Sequence, residues 1–195
     1  VGSEMCIRDS YMTTTFYFIR HAEPNYDNHD DVTRELTEKG IVASQALIEA
    51  FASIPIDKCY SSPYKRSVDT ILPLAKSRGM KIITLSDLRE RKLSDEWVKN
   101  FNEIAQKQWE DFNFKLSNGE SLQEVQERNI KALNHMLSES QNQTVVIGTH
   151  GTALSTIINY YKPEFRYEAF NALKHVFPWV VKFEFEGEVF KEIRY

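Results

Sequence analysis

Five residues in this sequence have the chemistry to handle a phosphoryl group, and each stands just beyond a segment that reads as a strand. Arg20 and His21 follow "FYFI", Arg66 follows "KCYSSPYK", Glu90 follows "IITLSDLR" and His150 follows "TVVIGT". Arginine holds phosphate through bidentate, charge-assisted hydrogen bonds. A neutral imidazole can attack phosphorus as a nucleophile, and a carboxylic acid can protonate a departing alkoxide. His150-Gly151 precedes a helical segment whose N-terminus would add amide donors and a favourable dipole. Each residue alone has an ordinary explanation. His21 suits a hydrogen-bonded histidine at a strand end, Arg20 and Arg66 suit surface cations, and Glu90 sits in the charge run "RERK". Their recurrence at four successive strand ends is the informative observation.

The elements that must position them follow from periodicity. Thr15 to Ile19 is a buried apolar run and reads as the first strand. A polar loop, "PNYDNHDDVTREL", leads to a helix starting near Thr37, a good N-cap, with Leu36 and Ile41 spaced as a hydrophobic staple. Leu36, Ala43, Leu47 and Phe51 mark its apolar face. Ile56 to Tyr60 is a short second strand. Ser62-Pro63 then carries the cap-and-proline signature of a helix start, and Pro73 is expected to kink or end that helix. Lys81 to Leu85 is the third strand. Trp97, Phe101, Ile104, Ala105, Gln108 and Phe112 recur at helical spacing until "SNGE" breaks the pattern. Ser121 and Glu124 form a capping box for the next helix, with Leu122, Val125, Leu133, Met136 and Leu137 as its stripe. Thr144 to Gly148 is the fourth strand, and a helix follows from about Thr152 to Tyr160. The final "WVVKFEFEGEVFKEIRY" alternates around Glu186-Gly187 as an antiparallel hairpin at a sheet edge. Strands alternating with helices imply an α/β sandwich with a mostly parallel sheet. In such sheets ligands bind beyond the carboxyl ends of the strands, where all five residues fall.

The 195 residues suit one domain, and the formal net charge of −4 gives no basic surplus for nucleic acid. No apolar run reaches membrane-spanning length. Cys6 and Cys59 form no metal or redox pattern, which fits a reducing, cytoplasmic setting. There is no glycine-rich P-loop and no HExxH. "NHDD" at Asn28 to Asp31 reads as a solvated loop, not a metal site. The opening "VGSEMCIRDS" resembles translated adaptor sequence. Residues 1–11 are therefore expected to be non-native or disordered, with 12–195 as the domain.

Taken in order, the motifs resemble the histidine phosphatase superfamily, also called the phosphoglycerate mutase-like family. Arg20-His21-Ala22-Glu23 is similar to its Arg-His-Gly-Glu motif. Ser61 to Ser67 with Thr70, Leu88-Arg89-Glu90 and Thr149-His150-Gly151 match the later ones, and "LTEKG" and "NGES" with Arg128 resemble recurrent segments. The resemblance implies a three-layer α/β sandwich with helices on both faces and a helical lid over Ser94 to Asn118. It implies His21 as nucleophile, Arg20, Arg66 and His150 as the phosphoryl clamp, and Glu90 as acid and then base. Gly151 and Asn25 are further substrate-binding candidates. No metal and no cofactor are required, and the partner is a small phosphorylated substrate. Physical reasoning adds that the second ring nitrogen of His21 should donate to a fixed acceptor such as a backbone carbonyl. Two positions depart from the family pattern. Ala22 replaces the usual glycine, and Asp27 stands where an asparagine is common, with Asn25 two residues earlier. The activity implied is a metal-independent phosphomonoesterase. The alternatives are a phosphoglycerate mutase, a protein phosphohistidine phosphatase and a catalytically dead phospho-ligand binder, as monomer or homodimer.

Overall fold

The computed structural model describes residues 13–195; the segment 1–11 lies outside them. Six strands form one sheet: β1 (Thr13–Arg20), β2 (Lys58–Ser61), β3 (Ile82–Thr84), β4 (Thr144–Thr149), β5 (Trp179–Glu186) and β6 (Val189–Arg194). Their order is β3-β2-β4-β1-β5-β6. The first four in that order run parallel, and β5 and β6 add an antiparallel edge. Gly187, at φ 58°, supplies the positive φ that the tight β5–β6 turn needs.

Side chains alternate across the sheet and fill two cores. From β1, Phe16 and Phe18 enter one core and Ile19 enters the other, with Tyr17 packed beside it. From β4, Val145 and Ile147 enter the first and Val146 the second. Two helices, α1 (Glu38–Ala50) and α2 (Lys65–Ser77), close the second core. Four others, α3 (Phe101–Glu110), α4 (Leu122–Glu139), α5 (Gly151–Tyr161) and α6 (Tyr167–Leu173), contribute to the first. The architecture is the three-layer sandwich expected.

Local chemistry explains where elements begin. The capping box at α4 forms: Ser121 Oγ accepts from Glu124 N at 3.1 Å, and Glu124 Oε2 accepts from Ser121 N at 2.8 Å. Thr37 caps α1, accepting from Gly40 N at 3.0 Å. The staple does not close, because Leu36 is buried while Ile41 is exposed. The helix expected at Ser62-Pro63 begins only at Lys65; the Ser62 hydroxyl bonds His150 and accepts from Tyr64 N, ahead of the helix. Pro73 does not end α2, which continues to Ser77. Ile71 and Leu74 are fully buried beside it. Burial contributes roughly 1.5–3 kcal/mol per such side chain, enough to offset an interior proline's cost of about 3 kcal/mol. The helical pattern starting at Trp97 becomes regular only from Phe101, and α6 adds a short helix beyond those that periodicity marks. Among the described residues no helix is long and apolar enough to cross a membrane.

Candidate active site

His21 emerges from β1 and is buried, with its backbone N–H bonded to Thr149 O of β4 at 3.0 Å. Its Nδ1 lies 2.9 Å from Ala22 O. A carbonyl only accepts, so Nδ1 carries the hydrogen and Nε2 keeps the lone pair. Nε2 has no hydrogen-bond partner among the described residues. Burial, then the charges of Arg66 and Arg20, hold the His21 pKa well below the ordinary imidazole value, against the Ala22 bond, which favours the cation. The ring is therefore neutral and presents a lone pair. Ala22 itself is fixed by a bond from its N–H to Thr70 Oγ1 at 2.8 Å.

The His150 ring stands 5.4 Å from that of His21, centroid to centroid. Its Nε2 lies 2.7 Å from Ser62 Oγ, which already accepts from Tyr64 N at 3.3 Å. A hydroxyl can still donate or accept a second bond, so this contact accommodates either tautomer of neutral His150. Burial and the charge of Arg66 hold this imidazole neutral as well. Nδ1 is buried with no partner. A buried unsatisfied polar atom costs about 1–3 kcal/mol, and with the ring hydrogen on Nδ1 a phosphoryl oxygen would satisfy it.

Glu90 faces the start of α5, the helix capped by His150. Its Oε2 accepts from Thr152 N at 3.0 Å, and its Oε1 from Ala153 N at 3.1 Å and Arg91 N at 2.8 Å. The amide donors expected at this helix N-terminus for a phosphate are thus largely engaged by the Glu90 carboxylate. Arg128 clamps the loop that carries Glu90. It donates to the carbonyls of Asp87, Arg89 and Glu90 and forms a two-point bond to Glu120.

Three buried guanidinium groups complete the cluster. Arg20 donates through Nη1 and Nη2 to the carbonyls of Leu173, Val176 and Lys174, lies 4.0 Å over the Phe177 ring, and keeps Nε without a partner. A Cβ at position 151 would come within 3.0 Å of that Nε, so Gly151 gives Arg20 its clearance. Arg66 donates to Asp31 O at 2.5 Å and pairs with Asp31 Oδ1 at 3.2 Å. Arg34 pairs with the same Oδ1 at 2.9 Å. Burial lowers the pKa of Arg20 and Arg66, with Glu90 opposing the fall in both. Three cations thus share the site with two carboxylates, Asp31 and Glu90, an excess of one positive charge that favours an anion.

Asn25 does not join this cluster. Its amide donates to Glu35 Oε1 at 2.6 Å and its Oδ1 accepts from Asp27 N at 3.1 Å. Asp27 is exposed. "NHDD" is not merely a solvated loop, because Asp31 orients Arg66 and Arg34. Among the described residues no three His, Cys, Asp or Glu side chains gather as a metal-binding set.

The model of the histidine phosphatase superfamily (branch 1) matches residues 16–195. The chain belongs to that superfamily. It is, by class, a phosphatase. It is 26% identical over 160 residues to a metal-independent phosphoserine phosphatase of Arabidopsis thaliana, covering 74% of this chain and 67% of the relative. It is 27% identical over 165 residues to phosphoglycerate mutase-like protein 4 of the same plant, covering 76% and 71%. Among solved structures, phosphoserine phosphatase of Entamoeba histolytica in complex with 3-phosphoglyceric acid superposes with a TM-score of 0.74 at 21% identity, covering 93% of this chain and 97% of that one. This last likeness shows the fold.

For a histidine phosphatase, several groups at this site escaped the motif reading. Ser62 bonds His150 Nε2, Phe177 stacks on His21 at 5.7 Å, and Tyr64 meets His150 edge-on at 5.3 Å. Half-exposed Tyr26 lies close enough to Arg20, Arg66 and Arg34 for their charges to oppose the rise that burial gives its phenol pKa. At the mouth, His29 and Trp97 stack at 4.1 Å, with Arg34 over Trp97 at 5.5 Å. Trp109 is buried core, whereas Trp97 is exposed.

Proposed function

We propose that this phosphatase is a metal-independent phosphomonoesterase acting on small phosphorylated metabolites through a phosphohistidine at His21. The observation that carries the reading is the neutral, buried His21, pinned at Nδ1 and open at Nε2, beside three guanidinium groups. The Nε2 lone pair attacks phosphorus as the bond to the leaving oxygen breaks, and Glu90 gives that oxygen its proton. Arg20 Nε, Arg66 and His150 stabilise the phosphoryl charge. Water then attacks the phosphohistidine, Glu90 takes its proton, the N–P bond breaks with its electrons returning to Nε2, and inorganic phosphate leaves. The name of the phosphoserine phosphatase relative supports hydrolysis without metal. The ligand in the Entamoeba structure's title supports a small phosphorylated acid as substrate. A cytoplasmic setting accords with Cys59, a buried thiol that is free and whose pKa burial pushes up to about 11.

The mutase-like relative supplies the competing reading, in which the phosphoryl group returns to the substrate. A hydrolysis screen in EDTA decides between them. Phosphate release from small phosphomonoesters by the wild type, reduced about 10³-fold or more in His21→Ala, is the expected result. Isomerisation of 3-phosphoglycerate without phosphate release would replace it with the mutase reading.

A further inference from the structure

Arg66 and Arg34 share one counter-ion. Asp31 Oδ1 lies 2.9 Å from Arg34 Nη1 and 3.2 Å from Arg66 Nη2, and the Asp31 carbonyl accepts from Arg66 Nη1 at 2.5 Å. Among the described residues no other carboxylate comes within ion-pairing distance of either arginine. The Arg66 and Arg34 side chains are 3% and 6% exposed, whereas that of Asp31 is 44% exposed. Arg66 is tied in turn to the reacting histidine. Its carbonyl accepts from Thr70 Oγ1 at 2.7 Å, and Thr70 Oγ1 accepts from the N–H of Ala22, the residue after His21, at 2.8 Å. The Arg66 guanidinium carbon lies 5.3 Å from the Tyr64 ring, which meets the His150 ring edge-on. Asp31 therefore stands directly beside an arginine of the catalytic cluster.

A carboxylate in that place has two opposed consequences. It repels the phosphate that the guanidinium groups would hold. Without it, two buried cations would repel each other and lack a counter-charge, which is costly. With Arg20 and Glu90 counted, three cations face two carboxylates, an excess of one positive charge; without Asp31 the excess would be two. We propose that Asp31 is a positioning residue that fixes Arg66 and Arg34 and, by sharing their charge, weakens the hold of the site on inorganic phosphate so that the product leaves. This rests on the phosphatase reading above and adds to it a determinant of product release.

The test is product inhibition. Hydrolysis of p-nitrophenyl phosphate by the full chain is followed in EDTA at low ionic strength, where partly exposed charges are least screened, with inorganic phosphate as the competing ligand. Asp31→Asn keeps an oxygen for both guanidinium groups and removes the charge. Its inhibition constant for phosphate should fall about fivefold or more below that of wild type, and KM should fall with it. A merely structural ion pair predicts the opposite sign, because a loosened Arg66 binds phosphate less well. Arg34→Gln shifts the charge balance the other way and should raise the inhibition constant by about fivefold or more, which decides the matter if Asp31→Asn fails to fold. The double variant should return to within about twofold of wild type. An inhibition constant unchanged or raised in Asp31→Asn overturns the proposal, as does one unchanged in Arg34→Gln. Either of these failures beside a wild type that turns over leaves the phosphatase reading standing. A wild type that releases phosphate neither from this ester nor from other small phosphomonoesters overturns that reading and the proposal with it.

Discussion

His21, Glu90 and Arg20 are each held by backbone groups, whereas Arg91 and Trp97 beyond them are held by other side chains and Arg34 by both kinds. Ala22 O fixes His21, the amides of Thr152 and Ala153 fix Glu90, and three carbonyls at the end of α6 and just beyond it fix Arg20. Arg34 donates to Asn28 O at 2.7 Å and leans on Asp31 and Trp97, Arg91 leans on Gln108, and Trp97 on His29. Backbone anchors move only if the sheet or a helix end moves. Side-chain anchors can be exchanged one at a time. On the proposed function, the difference teaches that the phosphoryl chemistry would be built into the frame, while the side chains around it rest on contacts that a few substitutions could rewrite.

The largest effect short of removing the nucleophile should come from loosening a frame contact. Arg128→Lys keeps the charge but loses the two-point bond to Glu120 and part of the grip on the Glu90 loop. Steady-state kinetics should show kcat lowered by about 10- to 100-fold with KM little changed. A fall in thermal stability with kcat intact would mean that the clamp only holds the fold.

The frame should also show in the pH dependence of stability. His21 and His150 have native pKa values well below 6.5, chiefly because of burial. Below about pH 6.5 the unfolded chain binds more protons than the native one. Their contribution is therefore complete above that pH and is lost as pH falls toward the depressed native values. Thermal unfolding should show a midpoint lower by several degrees at pH 5 than at pH 7, on a scale of about 2–4 °C per kcal/mol. A smaller drop in His150→Gln would assign part of it to this ring. A midpoint unchanged between the two pH values would contradict two neutral buried imidazoles.

At the mouth, a single cut should do least. Trp97→Ala removes the stack on His29, and kcat should stay within about twofold while KM rises by about threefold at most. A collapse of kcat in this variant would erase the distinction between frame and mouth.

Much of the frame was legible in the sequence because strand-end motifs are local. "IRHAE", "LRE" and "THG" each join a strand or its extension to a site residue, and the structure brings Arg20, His21, Arg66, Glu90, His150 and Gly151 together. The mouth was not legible for a physical reason. Asp31 orients Arg66 from 35 residues away in sequence, and Arg91 meets Gln108 from 17 away. Such pairings depend on how loops fold back, not on spacing. Asn25 shows the same limit in reverse: its residue type suits a phosphate, but Glu35 claims its amide. Burial was the other hidden quantity. "RERK" reads as a solvated run, yet Arg91 within it is buried.

The most direct test of the central claim is to trap the phosphoenzyme. Wild-type protein is mixed with a 32P-labelled phosphomonoester in EDTA, quenched within milliseconds, and digested for peptide mapping. The account predicts an acid-labile, base-stable label on the peptide that contains His21, absent in His21→Ala. Turnover with no label at any time point, or with label on a residue other than His21, would contradict it.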